Sequence, residues 1–195
     1  MRIISGRFRG RRLAAPTWAG VRPTSDGLRE TLFNVIGERV TGARVLDAFA
    51  GTGAIGLEAL SRGARHVTFV DRDRRAAALA ADNVARCGAG EACAIIRADV
   101  AALRPGAPGA FDLVIADPPY EGTDLERILA MLGPLVAAGG LLVLEHAKRR
   151  VAPPRVGALA RVRQVVSGDS ALAVYACRPE AGAADGDAPG DPDAR

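Results

Sequence analysis

The sequence has few aromatic residues and no long apolar run, and each shortage excludes a class of protein. Aromatic residues make up 4% of the 195 residues, so a hydrophobic core must be built from Ala, Val, Leu and Ile. The longest apolar stretch, residues 135–144, is about half of the roughly 20 residues that a membrane-spanning helix needs. It also contains Gly139 and Gly140. We therefore expect neither a transmembrane helix nor a membrane anchor.

Metal-binding and disulfide-forming residues are also scarce. Cys87, Cys93 and Cys177 are odd in number, none lies in a Cys-x-x-Cys pair, and only His66 and His146 accompany them. We expect reduced, buried thiols and no metal site. The first residues lack the apolar region of a secretory signal, so we expect a cytoplasmic protein.

No acidic residue occurs among the first 22 residues, which carry six arginines. The whole chain has a charge of +4 and the last 17 residues carry −4, so residues 1–178 carry +8. All but one of the cationic side chains are Arg, which binds phosphate in a bidentate manner. These features predict a polyanionic partner, although a solvated face of an Ala/Arg-rich chain is the alternative. The candidate nucleic-acid contacts are Arg7, Arg9, Arg11, Arg12 and Arg22.

The two ends of the chain differ from its body. Residues 2–4 and 11–13 predict a short β-hairpin that turns at Gly6 and Gly10. Residues 179–195 are rich in Ala, Gly, Pro and Asp without periodicity, which predicts a disordered acidic tail. We therefore divide the chain into a basic hairpin and loop (1–24), a folded domain (25–178) and the tail.

Helices and strands alternate through the body. The apolar pattern predicts five strands, at residues 44–47, 66–70, 93–97, 111–116 and 141–145, and helices at residues 26–38, 54–61, 73–86 and 124–136. This order is typical of a doubly wound α/β sheet with parallel strands. Two last strands, at residues 160–166 and 171–177, are joined too closely for a parallel crossover. We predict a mostly parallel seven-stranded sheet with a terminal antiparallel hairpin, the architecture of Rossmann-like class I methyltransferases.

A glycine-rich turn follows the first predicted strand, where open α/β sheets bind ligands. The glycines of Gly51-Thr52-Gly53-x-x-Gly56 permit a tight turn and close approach of the backbone to a ligand. Asp71 ends the second strand and can accept hydrogen bonds from a ribose. The motif fits both a dinucleotide and S-adenosylmethionine, so it does not choose between these cofactors.

Two other carboxylates favour S-adenosylmethionine. Asp47, just before the turn, suits the ammonium group of a methionine and would repel a pyrophosphate, and Asp99 can accept a hydrogen bond from an adenine amino group. Alternatively, the glycines serve only a tight turn and the carboxylates are solvated strand ends. The predicted cofactor contacts are Asp47, Phe49, Ala50, Gly51, Gly53, Asp71, Arg72, Asp99 and Val100.

The strand at 111–116 ends in Asp117-Pro118-Pro119-Tyr120, beside the predicted cofactor cleft. The Asp117 carboxylate and the Pro118 carbonyl can bind both hydrogens of an exocyclic amino group and aim its lone pair at a sulfonium methyl. Pro118 and Pro119 hold these acceptors in advance, and Tyr120 can stack on a base turned out of a helix. We predict these four residues as catalytic; taken alone, they also fit a Pro-rich turn.

Together these motifs resemble the bacterial 16S ribosomal RNA guanine-N2 methyltransferase family of small, single-domain enzymes. The likeness runs from about residue 2 to residue 175. It is carried by the glycine turn, the tetrapeptide, and the segments Arg22-Pro23-Thr24-x-Asp26-x-x-Arg29-Glu30, Gly56-Leu57-Glu58-Ala59-Leu60-Ser61-Arg62-Gly63-Ala64 and Gly168-Asp169-Ser170-Ala171-Leu172.

The resemblance implies that residues 25–178 transfer a methyl group from S-adenosylmethionine to the N2 amine of a guanine in small-subunit ribosomal RNA. Ribosomal RNA or the small ribosomal subunit is then the partner, and we expect a monomer. We also hypothesise that Arg22-Pro23-Thr24 closes over the active site, with packing of Arg29 and Glu30 against the helix as the alternative.

Three other functions stay open. A DNA adenine-N6 methyltransferase would use the same tetrapeptide, although we expect no separate DNA-recognition domain in a chain of this length. A nicotinamide-dependent oxidoreductase would use Gly51 to Gly56, although no hydride-transfer base is evident. A non-catalytic RNA-binding module would keep the fold without the chemistry.

Overall fold

The computed structural model describes residues 1–18, 24–104, 110–120 and 122–178. Its helices are α1 (Asp26–Ile36), α2 (Ala54–Ser61), α3 (Arg74–Arg86) and α4 (Leu125–Leu132). Its strands are β1 (Arg44–Ala48), β2 (His66–Asp71), β3 (Cys93–Arg97), β4 (Phe111–Ala116), β5 (Val136–Ala147), β6 (Arg155–Val156), β7 (Leu159–Ser167) and β8 (Ser170–Cys177). Arg22 and the predicted tail at 179–195 lie outside the described residues.

The strands form one sheet in the order β3-β2-β1-β4-β5-β8-β7-β6. Strands β1 to β5 pair in parallel, and β8 enters antiparallel between β5 and β7. The predicted parallel sheet with a terminal antiparallel hairpin is confirmed. The sheet has eight strands instead of seven because β6, only two residues long, pairs with the start of β7. A strand this short leaves no periodic signal in a sequence.

Two predicted helices end early, for local reasons. Gly37 has a φ of 59° and ends α1 at Ile36, because glycine readily adopts this conformation. A 3-10 turn with Pro134 near its start follows α4, since proline cannot continue the hydrogen-bond ladder of a helix. Strand β5 then begins at Val136, five residues before the predicted start.

The sheet has an apolar cluster on each face. On one face, Leu57 of α2 and Val143 of β5 belong to the same buried cluster. On the other, Leu129 of α4 packs with Leu142 and Leu144 of β5. Alternate residues of β5 therefore face opposite layers, as expected for a strand covered on both faces. Glu145 belongs to the same face of the strand as Val143.

The cysteines are free thiols, and the helices are too short to cross a membrane. Cys87 and Cys177 are buried, as predicted, whereas Cys93 is half-buried at the start of the edge strand β3. Within the described ranges, no helix combines the length and the apolar composition that a bilayer span requires.

The N-terminal segment folds back on itself in the antiparallel sense of the predicted hairpin. Arg2 and Arg12 form an antiparallel bridge, and the N–H groups of Ile3 and Gly10 donate to the carbonyls of Arg11 and Ile3 at 3.0 and 2.9 Å. The next two N–H groups, of Ile4 and Ser5, donate instead to the Glu58 carboxylate of α2, at 2.8 and 3.0 Å. These two bonds attach the hairpin to the domain. We call residues 1–14 the basic loop.

Further buried polar groups fasten the basic loop to the domain. The Ser61 hydroxyl accepts from the Phe8 N–H at 2.9 Å, and the Asn83 side chain accepts from the Ala14 N–H at 2.8 Å and donates to its carbonyl at 3.1 Å. The buried Arg29 guanidinium donates to the Arg2 carbonyl at 2.8 Å. Ile3, Phe8 and Leu13 are buried in the same apolar cluster as α1 and α2, so the loop packs into the core of the domain.

Replacing Glu58 by Ala is expected to destabilise the protein and release the basic loop. The change leaves two backbone N–H groups and Arg62, which pairs with Glu58 at 2.8 Å, without their acceptor. We expect a loss of about 2–5 kcal/mol in the free energy of unfolding, measured by urea denaturation. Amide exchange should increase within residues 3–13. Glu38→Ala, at an exposed site, is the control and should stay within about 0.5 kcal/mol. Equal losses in both variants would contradict this account.

Candidate active site

Predicted site residues from three strands meet at the carboxyl edge of the sheet. Parallel register places Ala48 of β1 opposite Ala116 of β4, and Ala116 opposite Leu144 of β5. The glycine turn, Asp117 and Glu145 therefore follow at the same level on three neighbouring strands. The structure thus brings the predicted cofactor turn next to the predicted reaction centre.

The glycine turn has backbone geometry that ordinary residues avoid. Gly51 and Gly53 have φ values of 55° and 75°, and Phe49 has a φ of 71°, which is strained for a bulky residue. The N–H groups of Phe49 and Ala50 donate to the Val70 carbonyl at 3.0 and 2.9 Å and hold this shape. Such strain is commonly kept where a backbone must approach a ligand.

Gly56 has a packing role. A Cβ at this position would lie 2.3 Å from the Phe69 ring of β2, so only glycine lets α2 lie this close to the sheet. The Gly56 N–H donates to Oδ2 of Asp47 at 2.8 Å. Helix α2 therefore starts at a fixed place relative to β1.

Asp47 and Asp71 both bind the turn. Asp71 accepts from the Gly51 N–H through Oδ2 and from the Asp73 N–H through Oδ1, each at 2.9 Å. Asp47 is fully buried, and this burial raises its pKa to about 7, with a further rise from Asp71 and an opposing effect of the Gly56 N–H. Ionisation of Asp47 therefore opposes folding, an effect absent below about pH 4 and complete above pH 7. Contact of Asp47 with a methionine ammonium stays a prediction.

The other predicted cofactor residues lie farther along the same edge. Asp99 accepts from the Ala101 N–H at 2.9 Å and lies 3.7 Å from the Arg72 guanidinium, with both side chains exposed. Val100, next to Asp99, is buried. An exposed carboxylate beyond β3 can still meet an adenine, but no contact here tests that role.

Asp117 is held by a residue from outside the sheet. The Thr24 hydroxyl, just before α1, donates to Oδ2 of Asp117 at 2.6 Å. Thr24 thus lies at the predicted reaction centre. Closure of Arg22-Pro23-Thr24 over the site stays a hypothesis, and Arg22 and Pro23 lie outside the described residues. Burial raises the pKa of Asp117 well above its ordinary value; the Glu145 carboxylate raises it further, while the Thr24 hydroxyl lowers it.

Glu145 and Ser170 are two site residues to which the sequence analysis gave no role. The Tyr120 hydroxyl donates to Oε1 of Glu145 at 2.8 Å and lies 2.6 Å from the Ser170 hydroxyl. Burial raises the pKa of Tyr120 to about 12, so this hydroxyl stays protonated at neutral pH. One signal could have revealed Glu145: it is an acid at the carboxyl end of an otherwise apolar parallel strand.

The charge of this edge fits a cationic cofactor. Asp47, Asp71, Asp117 and Glu145 all lie there, and the pKa values of Asp47 and Asp117 are raised by burial first and by neighbouring carboxylates second. A sulfonium and an ammonium group would relieve this repulsion, whereas a pyrophosphate would increase it. The described residues contain no group of three or more metal-ligating side chains.

Four of the five predicted nucleic-acid contacts lie on the basic loop, and the fifth, Arg22, is outside the described residues. Arg7, Arg9, Arg11 and Arg12 are exposed, and the guanidinium groups of Arg7 and Arg11 lie 4.4 and 5.1 Å from the centre of the Phe8 ring. The loop packs against α2 and α3, beside the β1 to β3 half of the sheet. Two of its arginines lie at the ends of these helices: the Arg7 N–H donates to the Ser61 carbonyl at 2.8 Å, and the Arg11 guanidinium donates to the Arg86 carbonyl at 3.3 Å.

The fold and this edge of the sheet define a class I methyltransferase, a class whose members use S-adenosylmethionine. Within this class, the chain belongs to the family described as Conserved hypothetical protein 95, which it matches over residues 1–176.

Named relatives agree with the family resemblance. Bacillus subtilis YlbH, described as a candidate rRNA methyltransferase, is 36% identical over 180 residues, covering 90% of this chain and 98% of that protein. Ribosomal RNA small subunit methyltransferase D of Escherichia coli K12 is 41% identical over 133 residues, covering 68% of this chain and 66% of that protein. The resemblance found in the sequence is thereby confirmed.

Solved structures agree with the fold. Escherichia coli yhhF, described as a candidate methyltransferase, has a TM-score of 0.79 at 34% identity and covers 91% of this chain and 98% of that one. An RNA methyltransferase from Salinibacter ruber, solved with S-adenosyl-L-homocysteine, has a TM-score of 0.65 at 14% identity, covering 82% and 95%. At that identity the likeness concerns the fold alone.

The interaction between Asp117 and Glu145 predicts a specific pH dependence of methyl transfer. If Asp117 acts as a carboxylate, kcat/KM should rise with pH as Asp117 ionises. This rising limb of the pH profile should lie above the pH range in which ordinary carboxyl groups ionise, because the pKa of Asp117 is raised. Glu145→Gln should move this limb to lower pH, since it removes a negative neighbour while its amide oxygen can still accept from Tyr120. The measurement is methyl transfer with limiting substrate across pH. Glu126→Gln, an exposed site on α4, should leave the limb in place. An unmoved limb in Glu145→Gln would contradict the coupling.

Proposed function

We propose that this protein transfers a methyl group from S-adenosylmethionine to the N2 amine of a guanine in small-subunit ribosomal RNA, in the cytoplasm. The observation that carries the proposal is the position of Asp117, which Thr24 holds at 2.6 Å one strand away from the glycine turn. The cofactor supplies an electrophilic methyl group on a sulfonium. The protein must supply a nucleophilic nitrogen.

Asp117 and Pro118 meet this requirement through hydrogen bonding. An exocyclic amine is a poor nucleophile because its lone pair is delocalised into the ring. The Asp117 carboxylate and the Pro118 carbonyl would accept its two hydrogens and turn its lone pair out of the ring plane. As the N–C bond formed and the S–C bond broke, the cofactor would leave as S-adenosylhomocysteine and positive charge would develop on the nitrogen, so Asp117 would stabilise the transition state more than the ground state. The methylated nitrogen would then lose one proton, to the Asp117 carboxylate or to solvent.

Tyr120 would bind the target base by stacking. Its hydroxyl is fixed by Glu145 and Ser170, so the orientation of its ring is set before a base arrives. Stacking of a base on an aromatic ring contributes roughly 1–3 kcal/mol. A guanine turned out of a helix or loop would lie against this ring with its amine toward Asp117.

RNA as the substrate is supported by the basic loop and by the names of the relatives. YlbH and methyltransferase D are both described as acting on ribosomal RNA. The choice of guanine N2 is carried over from the sequence resemblance. A DNA adenine-N6 methyltransferase would use the same tetrapeptide, so the substrate needs a direct test.

The substrate test is transfer of a tritiated methyl group to ribosomal RNA, to small ribosomal subunits and to DNA in parallel. The proposal expects label in RNA that digests to N2-methylguanosine. Label on DNA adenine with none on RNA would overturn it.

Asp117→Ala is expected to lower kcat by about a hundredfold or more, the usual effect of removing one preorganised hydrogen-bonding group at a reacting centre. Affinity for S-adenosylmethionine, measured by calorimetry, should change much less than the rate. Asp82→Ala, at an exposed site on α3, is the control. Unchanged methyl transfer in Asp117→Ala would refute the assignment of the reaction centre.

Replacing Arg9, Arg11 and Arg12 together by Ala is expected to weaken RNA binding and reduce its dependence on salt. Each lost phosphate contact lowers the slope of log affinity against log salt by about 0.7–0.9. Cofactor affinity should stay the same. The matched control replaces Arg39, Arg44 and Arg65, which are exposed near the amino-terminal ends of β1 and β2. Equal slopes in the variant and the wild type would remove the basic loop from the RNA interface.

A further inference from the structure

A second group of cations lies on the other side of the reaction centre from the basic loop. Lys148, Arg149 and Arg150 follow directly after β5, whereas the basic loop packs beside β1 to β3. Asp117, at the end of β4, lies between them in the order of the sheet. We call residues 148–150 the basic turn.

Strand register fixes the height of the basic turn above the reaction centre. Because Ala116 pairs with Leu144, Asp117 lies level with Glu145 on the neighbouring strand. Lys148 comes three residues after Glu145, which places it up to about 10 Å beyond that level. The turn therefore projects past the edge of the sheet on which a target base would lie.

The basic turn has a defined backbone. The Lys148 N–H donates to the Asp169 carbonyl, in the connection between β7 and β8, at 2.9 Å. The Arg150 N–H donates to the Ala147 carbonyl, also at 2.9 Å. The cations are thus presented by an ordered turn joined to the sheet at both ends.

Side chains link the turn to the catalytic tetrapeptide. The Arg150 guanidinium donates to the Thr123 carbonyl, and the Thr123 hydroxyl donates to the Pro119 carbonyl. Arg150 also lines the same crevice as Pro118 and Tyr120. Whatever the turn binds would lie next to the residues that hold the target base.

The positive charge of the turn is largely uncompensated. Lys148 pairs with Asp169 at 2.9 Å, but both side chains are mostly exposed, and such pairs contribute little. Arg149 is exposed, and no carboxylate of the described chain lies within ion-pair distance of Arg149 or Arg150. Arginine in this state is well suited to the bidentate binding of phosphate.

We propose that Lys148 and Arg149 bind backbone phosphates of the substrate RNA on the β5 side of the target nucleotide. Arg150 stays on Thr123 and keeps the tetrapeptide loop in place. The basic turn then holds the RNA next to Asp117, on the β5 side, while the basic loop would bind it farther from the reaction centre. This inference rests on the proposed function, because it needs an RNA strand at the reaction centre.

The test is the salt dependence of binding to a small-subunit ribosomal RNA transcript by Lys148→Ala/Arg149→Ala. Loss of two phosphate contacts should lower the slope of log affinity against log salt by about 1.4–1.8. In methyl transfer, KM for RNA should rise with little change in kcat or in cofactor affinity. The control is Arg44→Ala/Arg65→Ala, which removes the same charge near the opposite edge of the sheet and should leave the slope unchanged. Arg149→Ala alone, which keeps the Lys148 pair, should give about half of the effect.

The outcomes separate the two proposals. One outcome is that the wild-type protein methylates the transcript and the double variant has the same salt slope as the wild type. This result would overturn the proposed role of the basic turn and leave the proposed function standing. An equal loss of slope in the control would also overturn it, because net charge and not position would then explain the effect. No methyl transfer to RNA by the wild type would overturn both proposals.

Discussion

Burial of carboxyl groups at one edge of the sheet, reinforced by the repulsion among them, is the constraint on which the site depends. Parallel pairing brings the ends of β1, β2, β4 and β5 together, and each of these strands supplies an acid there, namely Asp47, Asp71, Asp117 and Glu145. Burial of Asp47 and Asp117 and the nearby acids favour their protonated forms. A cationic ligand would favour the ionised forms of both groups. If Asp47 binds the cofactor and Asp117 the target amine, as proposed, the two events would be coupled through charge.

The same edge depends on hydrogen bonds from outside the strands. Thr24 reaches Asp117 from the start of α1, and Tyr120 binds both Glu145 and Ser170. Ser170 begins β8, whose antiparallel insertion next to β5 brings it to this edge. The terminal hairpin of the sheet thus has a part in the site, because it supplies one of the groups that orient Tyr120.

The alternating body of the fold could be predicted because its signals are local. Apolar runs and a glycine turn mark strands and helix starts within a few residues, and α2, β3 and β4 have the predicted bounds. The attachment of the N-terminal hairpin could not be predicted, since its Ile4 and Ser5 N–H groups donate to Glu58, more than 50 residues away. The hydrogen bond that the Tyr120 hydroxyl donates to Glu145 likewise depends on the pairing of β4 with β5. Contacts of this kind follow from topology and leave no periodic pattern.

The energetics of presenting a base explain why two basic surfaces would suit one reaction centre. Turning a nucleotide out of its stack costs a few kcal/mol, and stacking on Tyr120 returns roughly 1–3 kcal/mol. The difference must come from contacts that persist while the base is turned out. Backbone phosphates remain at the surface during this movement, where the basic turn would bind those next to the target nucleotide and the basic loop those farther away. Both surfaces are held by backbone hydrogen bonds to the sheet and its helices, so less conformational freedom is lost when RNA binds.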